Sequence, residues 1–242
     1  MKYAILGDIH ANLEALTVVL QKCKELAVEK YVCIGDLVGY NANPRECVDI
    51  MRELEPEVVV QGNHDEQSAA ETKLYGFNPQ AAMSIEWTRQ QLSAEQRLWL
   101  AGLPLQRAVG MKMTLVHATL DMPEKWGYIF DSLTAAASLH YQFTPVGFFG
   151  HTHVPLMFDK FGDVTGGRYE EIRLRPGHKY LVNVCSVGQP RDGDCRAGFV
   201  TYSTDDMLVT LHRVEYDVSL CQAKILRAGL PERNAHRLSL GR

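Results

Sequence analysis

Five short runs hold the side chains that a hard or borderline metal ion takes as ligands. They are Asp8-Ile9-His10, Gly35-Asp36, Gly62-Asn63-His64-Asp65, His117 and Gly150-His151-Thr152-His153. Carboxylate and amide oxygens with imidazole nitrogens, and no thiolate, suit Mn²⁺, Fe, Co²⁺, Ni²⁺ or Zn²⁺; residue types alone do not choose among them. The runs differ in weight. Asp-x-His and Gly-Asp arise readily by chance, whereas Gly-Asn-His-Asp after a strand brings polar groups to a sheet edge where they need partners. Gly-His-Thr-His is sharper, because two imidazoles two residues apart can flank one bimetallic site. Any one of these histidines could be a hydrogen-bonded structural residue; five runs in this order leave that reading little room.

Their positioning falls to an alternation of strands and helices. Lys2–Leu6 reads as an apolar strand, followed by apolar residues at helical spacing from Leu13 behind Asn12, an expected N-cap. A second strand is expected over 31–34 and a third over 58–60. Between them Asn43-Pro44-Arg45-Glu46 signals a helix start with a capping-box glutamate. This βαβαβ order implies a parallel sheet. Residues 66–104 read as a helical insertion, with starts at Asn78-Pro79 and at Ser93-Ala94-Glu95-Gln96. Gly110 separates two strands, 105–109 and 112–116; a lid-like insertion covers about 119–143, and 146–149 is again a strand. The chain from 156 reads as mostly β, and from about 225 as a polar, basic surface tail. Each candidate ligand run sits just past an expected strand. In open α/β sheets ligands gather outside the carboxyl ends of the strands, so the fold would converge these runs on one edge.

The order D-x-H, G-D, G-N-H-D, V-H, G-H-T-H resembles that of the calcineurin-like metallophosphoesterases, particularly their small prokaryotic phosphodiesterase branch. The stretch Asn183-Val184-Cys185-Ser186-Val187-Gly188-Gln189-Pro190-Arg191 is similar to a late motif of that branch. The resemblance implies an α/β fold: a four-layer α/β/β/α sandwich in a single domain over 1–242, with a dinuclear metal site at the C-terminal ends of the strands. By match to the family's motifs, Asp8, His10, Asp36 and His153 would hold one metal. Asp36, Asn63, His117 and His151 would hold the other, with Asp36 bridging. His64 matches a catalytic, non-ligand position, protonating the leaving oxygen or stabilising its charge. The implied activity is hydrolysis of a small or nucleotide-type phosphodiester by a water held between two divalent ions, Mn²⁺ favoured, about 3.5–4 Å apart. Alternatives within the family are a phosphomonoesterase or protein phosphatase and a dinucleoside polyphosphate hydrolase; outside enzymes, a scaffold on the same fold.

The chain departs from the phosphatase pattern G-D-x-V-x-R-G. The phosphate-binding arginine is missing from Gly35-Asp36-Leu37-Val38-Gly39-Tyr40-Asn41, and Gly39 stands where an aspartate would orient the catalytic histidine. That favours diesters and leaves open what orients His64; Asp65 is adjacent but would point away from it in an extended segment. Arg191 could meet a phosphate oxygen bidentately or be a solvated surface arginine. Trp126, Tyr128 and Phe130 suit a packed lid or a stacking platform for a flat group. His140, His178, His212 and His236 have no ligand-like neighbours.

Across its 242 residues the chain carries a net charge of −4, with no basic stripe of the kind a nucleic-acid binder uses. No apolar run nears the ~18 residues of a membrane span. The six cysteines lack CxxC spacing and read as reduced thiols. A cytoplasmic enzyme acting on a small phosphate ester, with no membrane partner, is the expectation.

Overall fold

Strand β1 (Lys2–Leu6) is buried on both faces, with Tyr3 and Ile5 packed into one core and Ala4 and Leu6 into another. That double burial sets the layering. In this computed structural model, which describes residues 1–74 and 78–242, β1 leads into α1 (Leu13–Glu25), β2 (Lys30–Cys33), α2 (Pro44–Glu53) and β3 (Val58–Val59). Helices α3 (Asn63–Ala69), α4 (Pro79–Gln91) and α5 (Ala94–Ala101) come after it; residues 75–77 of this expected helical insertion lie outside the described residues. Next come β4 (Gln106–Val109), β5 (Met113–Val116), α6 (Ser132–Tyr141) and β6 (Val146–Phe149). The chain continues through β7 (Met157–Phe161), β8 (Asp163–Gly167), β9 (Glu171–Arg173), β10 (Lys179–Asn183), β11 (Ala197–Ser203) and β12 (Leu208–Val214). It ends in α7 (Val218–Arg227) and α8 (Glu232–Leu238).

The strands form two six-stranded sheets, ordered β3-β2-β1-β11-β12-β9 and β4-β5-β6-β10-β7-β8. β1, β2 and β3 run parallel in the first, as do β5, β6 and β10 in the second. Their facing surfaces share one core, in which Ile5, Ile34 and Val200 meet Leu115, Phe148 and Val182. Outside the first sheet, Leu16, Val19 and Met51 of α1 and α2 cover Leu6 and Phe199. Outside the second, Ala135 and Leu139 of α6 cover Phe149 and Leu181. The fold is thus the expected four-layer α/β/β/α sandwich. Burying each such side chain contributes roughly 1.5–3 kcal/mol, so the loops beyond β1, β2, β3, β5, β6 and β10 stand on stiff supports.

Asn12 caps α1 by accepting from Ala15 N at 3.1 Å, and Ser93 with Gln96 forms the expected capping box. Asn43 behaves differently: its side chain donates to Glu46 Oε1 at 3.0 Å and caps no backbone N–H. The expected tail from about 225 is corrected. Ile225, Leu230, Ala235 and Leu238 are buried with Cys221 in a small core of their own, against which Trp87 of α4 packs. Their apolar spacing is masked in sequence by the charged outer faces of two short helices. Among the described residues, no helix is long and apolar enough to cross a membrane.

Candidate metal centre

The loops after the parallel strands are bent sharply, and the bends fall on the candidate ligands. Asp8, His10, Asp36, His151 and His153 all have φ between 48° and 65°, a left-handed conformation that costs a non-glycine residue of order 1 kcal/mol or more. Bonds between loops hold these bends. Asp8 N donates to Gly35 O at 3.0 Å, His10 N to Asp36 O at 2.9 Å, and Gly150 N to His117 O at 2.9 Å. Asp65 does not serve His64: the segment is the first turn of α3, and the carboxylate accepts from Leu37 N, Val38 N and Gly62 N. Gly62 makes room for the central carboxylate, since a Cβ there would lie 2.1 Å from Asp36 Oδ1. The late motif buttresses the rest. Asn183 Nδ2 donates to Gly150 O, while Ser186 Oγ and Gly188 N both donate to Asp8 O.

Asp36 sits between two histidine pairs. Its Oδ2 lies 3.5 Å from His10 Nε2 and 3.3 Å from His117 Nε2, and its Oδ1 accepts from His64 N at 2.8 Å. On one side His10 Nε2 and His153 Nε2 are 3.1 Å apart, with Asp8 Oδ1 3.1 Å from the latter. On the other, His117 Nε2 and His151 Nδ1 are 3.2 Å apart. Each imidazole turns its other nitrogen to a backbone carbonyl: His10 to Val38 O, His117 to Ile34 O, His153 to Gln189 O and His151 to Trp126 O. A carbonyl only accepts, so those nitrogens carry protons, and in each neutral ring the inward nitrogen presents a lone pair, as in metal-ligating histidines. Lone pairs meeting at about 3 Å repel unless a cation or proton lies between them.

Asn63 Oδ1 is buried with no hydrogen-bond partner, as fits an oxygen reserved for an ion. The donor set therefore fits divalent metals. Asp8, His10 and His153 form one group and Asp36, His117 and His151 another, their ligand atoms within 4.8 Å of one another. His10, Asp36 and His64 form a third, overlapping group, so His64 also reaches the centre.

Burial pushes His151 down to about 3 and also lowers His10 and His153 well below the usual imidazole range, leaving them neutral ligands at neutral pH. Burial acts the same way on His117, yet Asp36, through charge and a hydrogen bond, carries it up to about 9. Burial alone would raise Asp36, but His117, His64 and His10 hold its carboxyl well below the usual carboxylate range. The metal-free protein thus pairs a protonated His117 with an ionised Asp36 at neutral pH. Since His117 is charged below about 9, an incoming cation must displace that proton. Mn²⁺ titrated calorimetrically into metal-free protein, in buffers of different ionisation heat, should release about one proton per chain from this site. Affinity should rise about tenfold per unit between roughly pH 6.5 and 8.5. No release and a flat affinity would contradict the assignment.

The sequence model of the calcineurin-like phosphoesterase superfamily domain matches residues 1–207. The chain belongs to that family. It is a phosphoester hydrolase, and its His and Asp groups could hold metals. A metallophosphoesterase of known structure from Sphaerobacter thermophilus is 39% identical, with TM-score 0.90, covering 100% of this chain and 99% of its own. An uncharacterized protein of Methanocaldococcus jannaschii is 38% identical, covering 99% of this chain and 98% of its own length. A hypothetical protein of Pyrococcus horikoshii OT3, 21% identical with TM-score 0.81, shares the fold over 100% of this chain and 98% of its own.

The metallophosphoesterase centre opens into a cleft of about 310 Å³. His64, Arg191, Lys125, Trp126, Tyr128 and Tyr40 are among the residues lining it. All seven residues expected as ligands come together here, with His64 and Arg191 beside them. The lid-like stretch is tied directly to the centre. Trp126 supplies the carbonyl that faces His151 Nε2, Trp126 Nε1 donates to Glu66 Oε2, and Tyr128 stacks on His151 at 4.3 Å. Sequence reasoning missed Tyr40, Lys125 and the carbonyls of Ile34, Val38, Gln189 and Trp126. Every residue has a carbonyl, so the last four left no signal.

Proposed function

We propose that this metallophosphoesterase cleaves a small or nucleotide-type phosphodiester at a dinuclear centre. Asp8, His10, Asp36 and His153 would hold one ion, and Asp36, Asn63, His117 and His151 the other. Bound there, two divalent ions such as Mn²⁺ would polarise a water and neutralise phosphoryl charge. The observation that carries the reading is Asp36, whose Oδ2 lies within 3.5 Å of one imidazole from each histidine pair. A carboxylate so placed can serve both ions, and the carbonyl-facing nitrogens fix every ring for the task.

Arg191 lines the cleft and would bind a phosphate oxygen. His64 would face the leaving group. Burial pushes it down to about 4, so at neutral pH it offers an N–H to the leaving oxygen. A phosphate anion alongside raises its proton affinity and so favours the imidazolium, the form that can give a proton to the leaving oxygen and return to neutral imidazole.

Preference for a diester rests on the missing arginine. Counted in register, its place in G-D-x-V-x-R-G falls to Tyr40, and Asn41 next to it is buried and donates to His10 O at 2.7 Å, so neither position supplies a cation to a dianionic monoester. With Mn²⁺-loaded protein, bis(p-nitrophenyl) phosphate should turn over faster than p-nitrophenyl phosphate. A monoester preference of about tenfold or more in kcat/KM would overturn this reading in favour of a monoesterase.

A further inference from the structure

In the phosphatase pattern an aspartate stands behind the histidine that His64 matches. Gly39 takes that place, and its missing side chain is required, since a Cβ there would lie 2.3 Å from His64 Nδ1. The ring is held by aromatic neighbours. Tyr40 packs on it at 4.5 Å between centroids, tilted 48°, and His10 meets it edge-on at 4.8 Å. The same Tyr40 ring contacts His10 at 4.7 Å and has the Arg191 guanidinium carbon 5.6 Å from its centroid. One aromatic ring therefore touches both the residue assigned to the leaving group and the residue assigned to the phosphate. Its negative face attracts the guanidinium, and its bulk limits the imidazole's rotation.

Tyr40 is itself pinned. It is 7% exposed and has φ 61°, a conformation a bulky residue keeps only under constraint. One constraint comes from α8, which lies beyond the region matched by the family model. Asn234 Nδ2 donates to Tyr40 O at 3.1 Å and to Ser84 Oγ of α4 at 2.9 Å, and Asn234 is 2% exposed.

We propose that Tyr40 is a positioning residue that sets the orientation of His64 and Arg191, and that α8 fixes Tyr40 through Asn234. The proposal rests on the roles given above to His64 and Arg191. It assigns the C-terminal helix a part in catalysis, although no residue of that helix is placed at the reacting atoms.

The test is a double-mutant cycle on Mn²⁺-loaded protein, with aryl diesters of graded leaving group. Tyr40→Leu should keep the parent's metal content and lower kcat about 10- to 100-fold, as small misplacements of catalytic groups do. The loss should be greater for poor leaving groups, and KM should rise through the loosened Arg191. Tyr40→Phe, which keeps the ring, should restore kcat to within about threefold of the parent. In a His64→Ala background, Tyr40→Leu should lower kcat by less than about threefold, because its target is gone. Asn234→Ala should give a smaller loss with the same pattern; if Tyr40→Leu does not fold, the Asn234→Ala cycle decides. Equal losses in both backgrounds, or loss of metal in Tyr40→Leu, would overturn the proposal. A His64→Ala protein with unchanged kcat would overturn the role of His64 first, and this inference with it.

Discussion

Asp36→Asn is expected to abolish turnover and lower metal content in the same sample. The replacement has nearly the same shape, and its amide oxygen can still accept from His64 N, so the loop after β2 keeps its bond to α3. What changes is the second atom. Asp36 Oδ2 stands 3.5 Å from His10 Nε2 and 3.3 Å from His117 Nε2, and an NH₂ in its place is a donor aimed at two imidazole lone pairs. The amide would occupy the ligand nitrogens, and the centre would lose its shared anion. His117 also loses the charge that carries it up to about 9, so the proton released on metal uptake should disappear. Several kcal/mol of charge stabilisation go with the ions, a fall of ~10³-fold or more in kcat. Elemental analysis beside kinetics decides: two ions per parent chain, fewer in the variant. A variant with two ions and parental activity removes Asp36 from the bridging position.

Much of this centre is legible in the sequence because strand order and ligand type point the same way. Asp8, Asp36, Asn63, His117, His151 and His153 each come just after a short apolar run, and an open sheet gathers the loops at the carboxyl ends of its parallel strands. Local capping chemistry is equally readable at Asn12 and at Ser93 with Gln96. Three features are not legible, each for a physical reason. The helix pair α7 and α8 hides its buried stripe of Cys221, Ile225, Ala235 and Leu238 among charged residues, so composition outweighs periodicity. Asp65 sits in a run that the sequence presents as extended, whereas α3 begins at Asn63 and turns its carboxylate onto three backbone N–H groups. Tyr40 takes the arginine position of the phosphatase pattern, beside Gly39 at the aspartate position, so the sequence shows two losses there and not the ring packed on His64.

His64→Ala is expected to leave the metals bound and to lower kcat by ~10²–10⁴-fold, the range of a lost general acid. The geometry makes the first half demanding, because His64 shares a possible ligand group with His10 and Asp36. Both ions would nonetheless have the proposed ligand sets without it, and its backbone N–H, which the substitution retains, is the group that contacts Asp36. The second half turns on the leaving group. Burial holds His64 near 4, so its contribution in the free enzyme is a hydrogen bond, and that bond strengthens only as charge builds on the departing oxygen. A nitrophenolate carries its own charge well and should need little help. An alkoxide needs the most. The defect should therefore widen steadily as the leaving group's conjugate acid becomes weaker, giving a steeper dependence of log kcat on leaving-group pKa in the variant than in the parent. Parallel lines would mean that His64 only positions the phosphate. A lost ion in His64→Ala would move it into the ligand shell that the third group of side chains permits.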